Sequence, residues 1–332
     1  MAVVAGVDLS LGPGVGLLPL VSLGPAFGGL VGGWRRTALI GFLALLLCYG
    51  LGVYNGLFEN RRGFTAVASV AGVTVAGVVA AVTRQRREAE LANVRSIAEV
   101  AQRVLLRPVP RSAGHLRAAV SYMSAVAEAR IGGDLYEVVP RPGGVRVIIG
   151  DVQGKGLDAV ETAAVVLGAF REAAYDEDGL PAVGARVERA VDRALQGEKF
   201  VTALIGEISP GGGVTFLNYG HTAPMVIRAG GQVEFPEPPQ FALPLGLGIH
   251  GTESPRPFRV DFGAGDQLLL HTDGVTEARD AGGRFYPLGQ RAHFLKDPDP
   301  ETALDTLRED LLQHAAGPLH DDAALLLLRY RD

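Results

Sequence analysis

Four acidic positions stand at the boundary of an apolar run, three of them with one or two glycines alongside. They are Gly132-Gly133-Asp134, then Ile148-Ile149-Gly150-Asp151, then Leu270-His271-Thr272-Asp273-Gly274, and last His320-Asp321-Asp322, which runs into the apolar segment from Ala323 to Leu328. A single Asp beside a glycine is usually only a turn. Four of them at the ends of core strands carry more weight. Strand ends hold side chains rigidly, and clustered Asp oxygens are what hard divalent cations require. Without a cation such a cluster would repel itself, and its proton affinity would rise. The expected chemistry is a carboxylate cage around a pair of Mg²⁺ or Mn²⁺ ions, able to activate water and to stabilise in-line displacement of a phosphoryl group.

Competing chemistries fail on inspection. Gly154-Lys155-Gly156 resembles a phosphate-binding P-loop, but Gly156 stands where Ser or Thr must follow the lysine. No G-x-S-x-G elbow and no H-E-x-x-H helix motif occurs. The single cysteine, Cys48, lies in an apolar run, so it can form no intrachain disulfide and cannot serve as a thiol nucleophile. A nucleotide cyclase would follow Gly132-Gly133-Asp134 with an acidic residue and an aromatic, whereas Leu135 and Tyr136 follow here. The net charge of -5, with no long basic tract, argues against nucleic-acid binding. Four further side chains stand near the acidic motifs. His221 invites a general-acid role but reads first as a structural histidine in a strand turn. His271 reads as a packing residue beside Asp273. Lys155 either meets phosphate or is a solvated loop lysine, and Glu277 shapes the loop after Asp273.

The elements that must position these groups are legible in outline. Val145 to Ile149 is a β-branched strand that delivers Asp151, and a Gly-rich turn then opens a helix from about Asp158 to Ala174. Upstream, from Met1 to Val82, the only acidic residues are Asp8 and Glu59. Thr37 to Phe58 and Phe64 to Thr83 are uncharged and about long enough to cross a bilayer core, which takes roughly 20 residues. A third, weaker candidate covers 14–33, interrupted by Pro19 and Pro25. Arg35 and Arg36 before the first span, and Arg84, Arg86 and Arg87 after the second, place the C-terminal region on the cytoplasmic side of a multi-pass cell-membrane protein. Glu88 to Leu106 carries an apolar stripe (Leu91, Val94, Ile97, Ala98, Ala101, Val104, Leu105) that ends before Pro108 and Pro110. It is either the first helix of the following domain or a short coiled coil that offers a homodimer contact. The expected division is a membrane segment over 1–83, a linker helix over 84–112 and a catalytic domain over 113–332.

Taken in order, these motifs resemble the metal-dependent protein phosphatase superfamily of the type 2C class, and within it the bacterial branch typified by the stage II sporulation phosphatase E. The resemblance runs from about Gln102 to Arg329. It rests on Gln102 to Pro108, Gly132 to Tyr136, Gly150-Asp151-Val152 with Gly154-Lys155-Gly156, Phe200 to Ala203, Asn218 to His221, Leu243 to Gly246, Thr272 to Ala278 and Asp321-Asp322. It implies an α+β fold, two stacked antiparallel β-sheets flanked by helices in an αββα sandwich, here preceded by the transmembrane helices. It implies two metal ions, Mn²⁺ or Mg²⁺, and phosphoserine or phosphothreonine on a protein substrate, for which this branch points to an anti-sigma-factor antagonist. Carried over residue by residue, Asp134, Asp151, Asp273 and Asp321 become catalytic metal ligands, joined by the Val152 carbonyl, with Asp322 as the alternate to Asp321. Glu137 stands where an Asp is common, and Ala324 replaces a frequent Thr. No arginine clearly occupies the phosphate-binding position of the eukaryotic relatives, and Arg130 is the nearest candidate. The competing expectation is a catalytically silent signalling module that binds a partner, which loss of one carboxylate would favour; all four are present.

Overall fold

The computed structural model describes residues 18–59, 61–124, 132–195, 199–248, 254–315 and 317–330. Two compact units divide the chain, Met1–Asn93 and Val94–Asp332. Among the described residues of the second unit, eleven strands form two antiparallel sheets. One sheet is built from β3 (Asp134–Arg141), β4 (Gly144–Val152), β5 (Val201–Ile208), β6 (Val214–Tyr219) and β9 (Phe258–Val260), in that order. The other runs β1 (Ser112–Ala113), β2 (Leu116–Met123), β11 (Ala323–Tyr330), β10 (Gln267–His271), β7 (Met225–Ile227) and β8 (Val233–Glu234).

The period-two pattern of the strands decides the layers. On β11, Ala324, Leu326 and Leu328 face β4 residues such as Val147 and Ile149 in the core between the sheets. The alternate residues Leu325 and Leu327 face outward onto Leu304, Leu307 and Leu311 of the helix Pro300–Ala315. On the opposite side, Leu135, Ile148 and Ile205 pack beneath the helices Leu157–Asp176 and Leu180–Leu195. Leu180, Val183, Gly184, Val187 and Val191 are the buried residues of the latter helix, a single face at spacings of three and four. The result is a helix–sheet–sheet–helix sandwich, the α+β architecture expected from the sequence.

Arg146 would look misplaced in this pattern, because it is fully buried on a central strand. Its guanidinium is satisfied throughout. Nε pairs with Glu207 at 2.6 Å, and the other nitrogens donate to the carbonyls of Ala174 at 3.1 Å, Glu177 at 2.7 Å and Asp178 at 3.2 Å. Arg146 thereby caps the C-terminal end of the helix Leu157–Asp176, whose last carbonyls have no partner within the helix.

The first unit consists of α-helices Leu23–Val31 and Trp34–Tyr54 and the larger part of a 45-residue helix, Arg61–Leu105. Trp34–Tyr54 and the stretch from Gly63 are long and apolar enough to cross a membrane. Glycines set the helix contacts here: a Cβ on Gly41 would lie 2.0 Å from the Thr74 methyl, and one on Gly29 would lie 2.9 Å from the Gly77 backbone. Of the weaker 14–33 candidate, 14–17 lie outside the described residues. The rest is a 3₁₀ turn at Leu18–Ser22 and a nine-residue helix, shorter than a bilayer core requires. One continuous helix covers both the second candidate span and the linker stripe. The stripe itself divides: Ala98, Ala101 and Leu105 pack against Val160, while Val94, Ile97 and Val104 are exposed.

Candidate active site

Asp134 and Asp151 are direct cross-strand partners in the β3–β4 ladder, at the end of one sheet. Asp273 opens a one-turn helix, Asp273–Thr276, just after β10, and Asp321 and Asp322 immediately precede β11 in the other sheet. The sandwich therefore brings all four acidic motifs to one end. Their electrostatics record the proximity. Asp134 is held above the ordinary carboxylate range first by burial and then by Asp151, with Asp322 and Asp273 adding to it. Asp151 is pushed up to about 7, first by burial and then by Asp273 and Asp321. Asp273 is raised by burial, Glu277 and Asp321.

Glycine makes the close approach at this end feasible. A Cβ on Gly133 would fall 2.5 Å from the Val152 carbonyl oxygen, 2.8 Å from Asp151 Oδ1 and 3.2 Å from the Gly154 carbonyl oxygen. Three oxygens thus face the bare α-carbon of Gly133, and any side chain would displace them. Likewise, a Cβ on Gly274 would lie 1.8 Å from the Asp322 carbonyl oxygen. The short helix after β10 can abut the start of β11 only with glycine at that position.

Asp321 and Asp322 diverge. Asp321 is half exposed and pairs with Lys155 at 2.7 Å, so Lys155 is engaged with the acidic cluster rather than solvated alone. Asp322 is buried, 4% exposed, with its carboxylate beside the Tyr122 hydroxyl and the Gly132 α-carbon. Asp321 also lines an open cleft of about 360 Å³ together with Gly274, Glu277, Ala278, Arg279 and His320. The donor set, carboxylates plus main-chain carbonyls, fits a hard divalent cation, and positive charge would relieve the mutual repulsion that raises these groups. As placed, no three acidic or imidazole groups among the described residues are gathered closely enough to hold one ion.

Thr272 links the two sheets. Its hydroxyl donates to Asp134 Oδ2 at 2.7 Å and accepts the Ala324 N–H at 2.9 Å. The position where Ala324 lacks a threonine hydroxyl thus has its backbone donor satisfied from the neighbouring strand. The one feature of the sequence that points to Thr272 is its place directly before Asp273. His221 has a structural environment. Nδ1 lies 2.9 Å from Thr202 Oγ1, Nε2 lies 3.1 Å from the His271 carbonyl, and its backbone exchanges two bonds with Asn218. Burial, helped by His271, pushes its pKa down to about 3, so it is neutral and poorly suited to supply a proton. His271 is also lowered by burial. Glu137 is paired with Arg171, whose guanidinium also donates to the Leu105 carbonyl at 2.7 Å. Gln102 donates to the Gly132 carbonyl at 3.2 Å and to the Tyr122 hydroxyl at 3.0 Å. Arg130 lies outside the described residues.

Comparison with known proteins agrees with this architecture. The family model described as Stage II sporulation protein E (SpoIIE) matches residues 141–331. The phosphoserine phosphatase RsbU of Bacillus subtilis (strain 168) is 24% identical over 252 residues, which cover 70% of this chain and 68% of that protein. Among solved structures, the SiaA-PP2C domain of Pseudomonas aeruginosa aligns with a TM-score of 0.60 at 17% identity, over 74% of this chain and 98% of that one. The RsbU and RsbW domains of Rv1364c from Mycobacterium tuberculosis align at 0.55 and 24% identity, over 65% of this chain and 60% of that longer one. The PP2C phosphatase domain of SpoIIE from Bacillus subtilis, with a fragment of its regulatory domain, gives 0.55 at 18% identity, over 65% and 64% of the two chains.

Proposed function

Because the chain belongs to the stage II sporulation protein E (SpoIIE) family, we propose that it is a protein serine/threonine phosphatase that removes phosphate from a regulatory phosphoprotein. The observation that carries this reading is the Asp134–Asp151 cross-strand pair set against Asp273 and Asp321 from the second sheet. In this reading Asp134, Asp151, Asp273 and Asp321 hold two divalent ions, with the Val152 carbonyl as a further ligand. Bound Mn²⁺ or Mg²⁺ supplies Lewis acidity and lowers the pKa of water toward neutrality. Thr272 fixes the orientation of Asp134, and Gly133 keeps the space beside Asp151 open. Asp321 is preferred to Asp322 as ligand because it faces the open cleft while Asp322 is buried beside Tyr122.

The name of the RsbU relative, a phosphoserine phosphatase, supports phosphoserine as the substrate group. The resemblance to this family points to an anti-sigma-factor antagonist as the phosphoprotein substrate. We further propose that Trp34–Tyr54 and the apolar first half of Arg61–Leu105 anchor the chain in the cell membrane, with the catalytic unit on the cytoplasmic side that Arg84, Arg86 and Arg87 favour. The exposed Val94, Ile97 and Val104 support a homodimer through the linker helix.

The test is turnover of a phosphoserine peptide by the full chain purified in detergent, with Mn²⁺, Mg²⁺ or chelator. Metal-dependent hydrolysis is expected, reduced by about 100-fold or more in Asp151→Asn and Asp273→Asn. Turnover that persists in chelator, or in both variants, would rule the reading out. A folded wild-type chain inert with every metal would favour the silent partner-binding module instead.

A further inference from the structure

The cleft beside the acidic cluster poses an electrostatic problem. A phosphoserine approaching it carries close to two negative charges and meets Asp321 and Glu277 in the cleft wall, with Asp273 next to Gly274. Lys155 does not solve the problem, because its ammonium is already paired with Asp321. Among the described residues that line the cleft, Arg279 is the one Lys or Arg side chain. We infer that Arg279 is the group that grips the phosphoryl oxygens of the substrate, an inference that rests on the phosphatase reading above.

The local structure holds Arg279 ready for such a contact. Its guanidinium lies over the Phe285 ring, 4.4 Å from the ring centroid. Phe285 is itself 55% exposed, so the ring serves the surface rather than the core. Arg279 and Phe285 are also antiparallel backbone partners across a tight turn. That turn is stiff: Gly283 N–H donates to the Asp280 carbonyl at 2.9 Å and Asp280 N–H to the Arg284 carbonyl at 3.0 Å. Its base is anchored by Ala278 and Tyr286, both buried, which share a backbone bond of 2.9 Å. The nearest acid in sequence, Asp280, is taken up by the N–H groups of Gly282 and Arg284 and by the Arg284 guanidinium. Arg279 itself makes no ion pair among the described residues. Stacking leaves the edge of a guanidinium free, and that edge carries the paired N–H donors that match two phosphoryl oxygens. An arginine held by an aromatic face on a stiff turn also loses less conformational freedom on binding than one on a loose loop.

The experiment uses the full chain in detergent with Mn²⁺ and compares wild type with Arg279→Gln, Arg279→Lys and Phe285→Leu. Two readouts are taken: KM and kcat for a phosphoserine peptide with inhibition by inorganic phosphate, and calorimetric binding of the same peptide carrying a non-hydrolysable phosphonate. Arg279→Gln is expected to raise KM, the phosphate inhibition constant and the phosphonate Kd together by about 10- to 100-fold. The change in kcat should be much smaller, and the unphosphorylated peptide should be unaffected. Arg279→Lys should recover part of the loss, and Phe285→Leu should fall between wild type and Arg279→Gln. If Arg279→Gln is folded and its KM, phosphate inhibition and phosphonate affinity all match wild type, Arg279 only packs on Phe285 and the inference is overturned. Wild-type binding without turnover, lost in Arg279→Gln, would sink the phosphatase reading and still support Arg279 as the anion-binding group. A wild type that neither binds nor turns over would overturn both.

Discussion

Asp151 stands between two opposing requirements. Burial and the carboxylates of Asp273 and Asp321 push it up to about 7. In the unfolded chain the same group titrates near 4, as exposed aspartates do. A carboxyl raised in the folded state weakens the fold above its folded pKa. That penalty shrinks as pH falls through 7 and is gone below about 4. Asp151→Asn removes the charge without changing shape. In chelator at pH 8 we therefore expect the variant to unfold at a higher temperature than wild type, by at least about 1 kcal/mol or roughly 2–4 °C. The gap should close as pH approaches 4. Adding Mn²⁺ should reverse the order, since a ligand that binds only the folded wild type stabilises it by mass action. Equal melting curves at pH 8 in chelator would mean that the cluster is not strained. A higher melting temperature for the variant would instead show that Asp151, without an ion, opposes folding.

At the scale of elements, the site depends on strands that end at one place, and on what keeps the flanking helices seated over them. Arg146 does much of this for the helix Leu157–Asp176, whose final carbonyls it caps from inside the sheet. Methionine there would fill similar space but leave those carbonyls without their donor and Glu207 with only the longer contact from Arg141 at 3.3 Å. Arg146→Met is expected to cost about 2–4 kcal/mol, seen as a lower denaturation midpoint in urea. The acidic cluster is built from other residues, so peptide turnover at low temperature should survive within a few-fold. A midpoint equal to wild type would show that water satisfies the helix end as well as the guanidinium does.

For the whole molecule, the two units face different solvents in the proposed arrangement. Leu39, Phe42, Leu46 and Val53 on Trp34–Tyr54, and Val75 and Val79 on the following helix, are exposed apolar side chains. Such surfaces are costly in water and expected in lipid. After cell lysis the full chain should stay with the membrane pellet through alkaline carbonate extraction, and protease added to intact spheroplasts should leave the catalytic unit uncut. Recovery of the intact chain in the carbonate supernatant would refute the anchor, while cleavage of the catalytic unit would refute its orientation.

By itself the sequence settled what local pattern can settle. An unbroken apolar run such as Leu325 to Leu328 specifies a strand with two buried faces, and the spacing from Leu180 to Val191 specifies a helix with one. A glycine beside Asp134, Asp151 and Asp273 marked where a close approach had to occur, because only glycine leaves room for the oxygens that crowd Gly133 and Gly274. Pattern could not reveal which distant groups meet. The Thr272 bond to Asp134 spans 138 residues. The divergence of Asp321 from Asp322 follows from where Lys155 and Tyr122 happen to lie. Arg279 reads in sequence as an ordinary surface arginine, and only the turn that stacks it on Phe285 places it in the cleft. Buried Arg146 likewise sits on a strand whose neighbours predict an apolar residue, and the fold accepts it because a helix end lies overhead. Local periodicity reports how a segment buries itself, but hydrogen bonds and charges act between segments, so their partners exist only once the sheets and helices have packed.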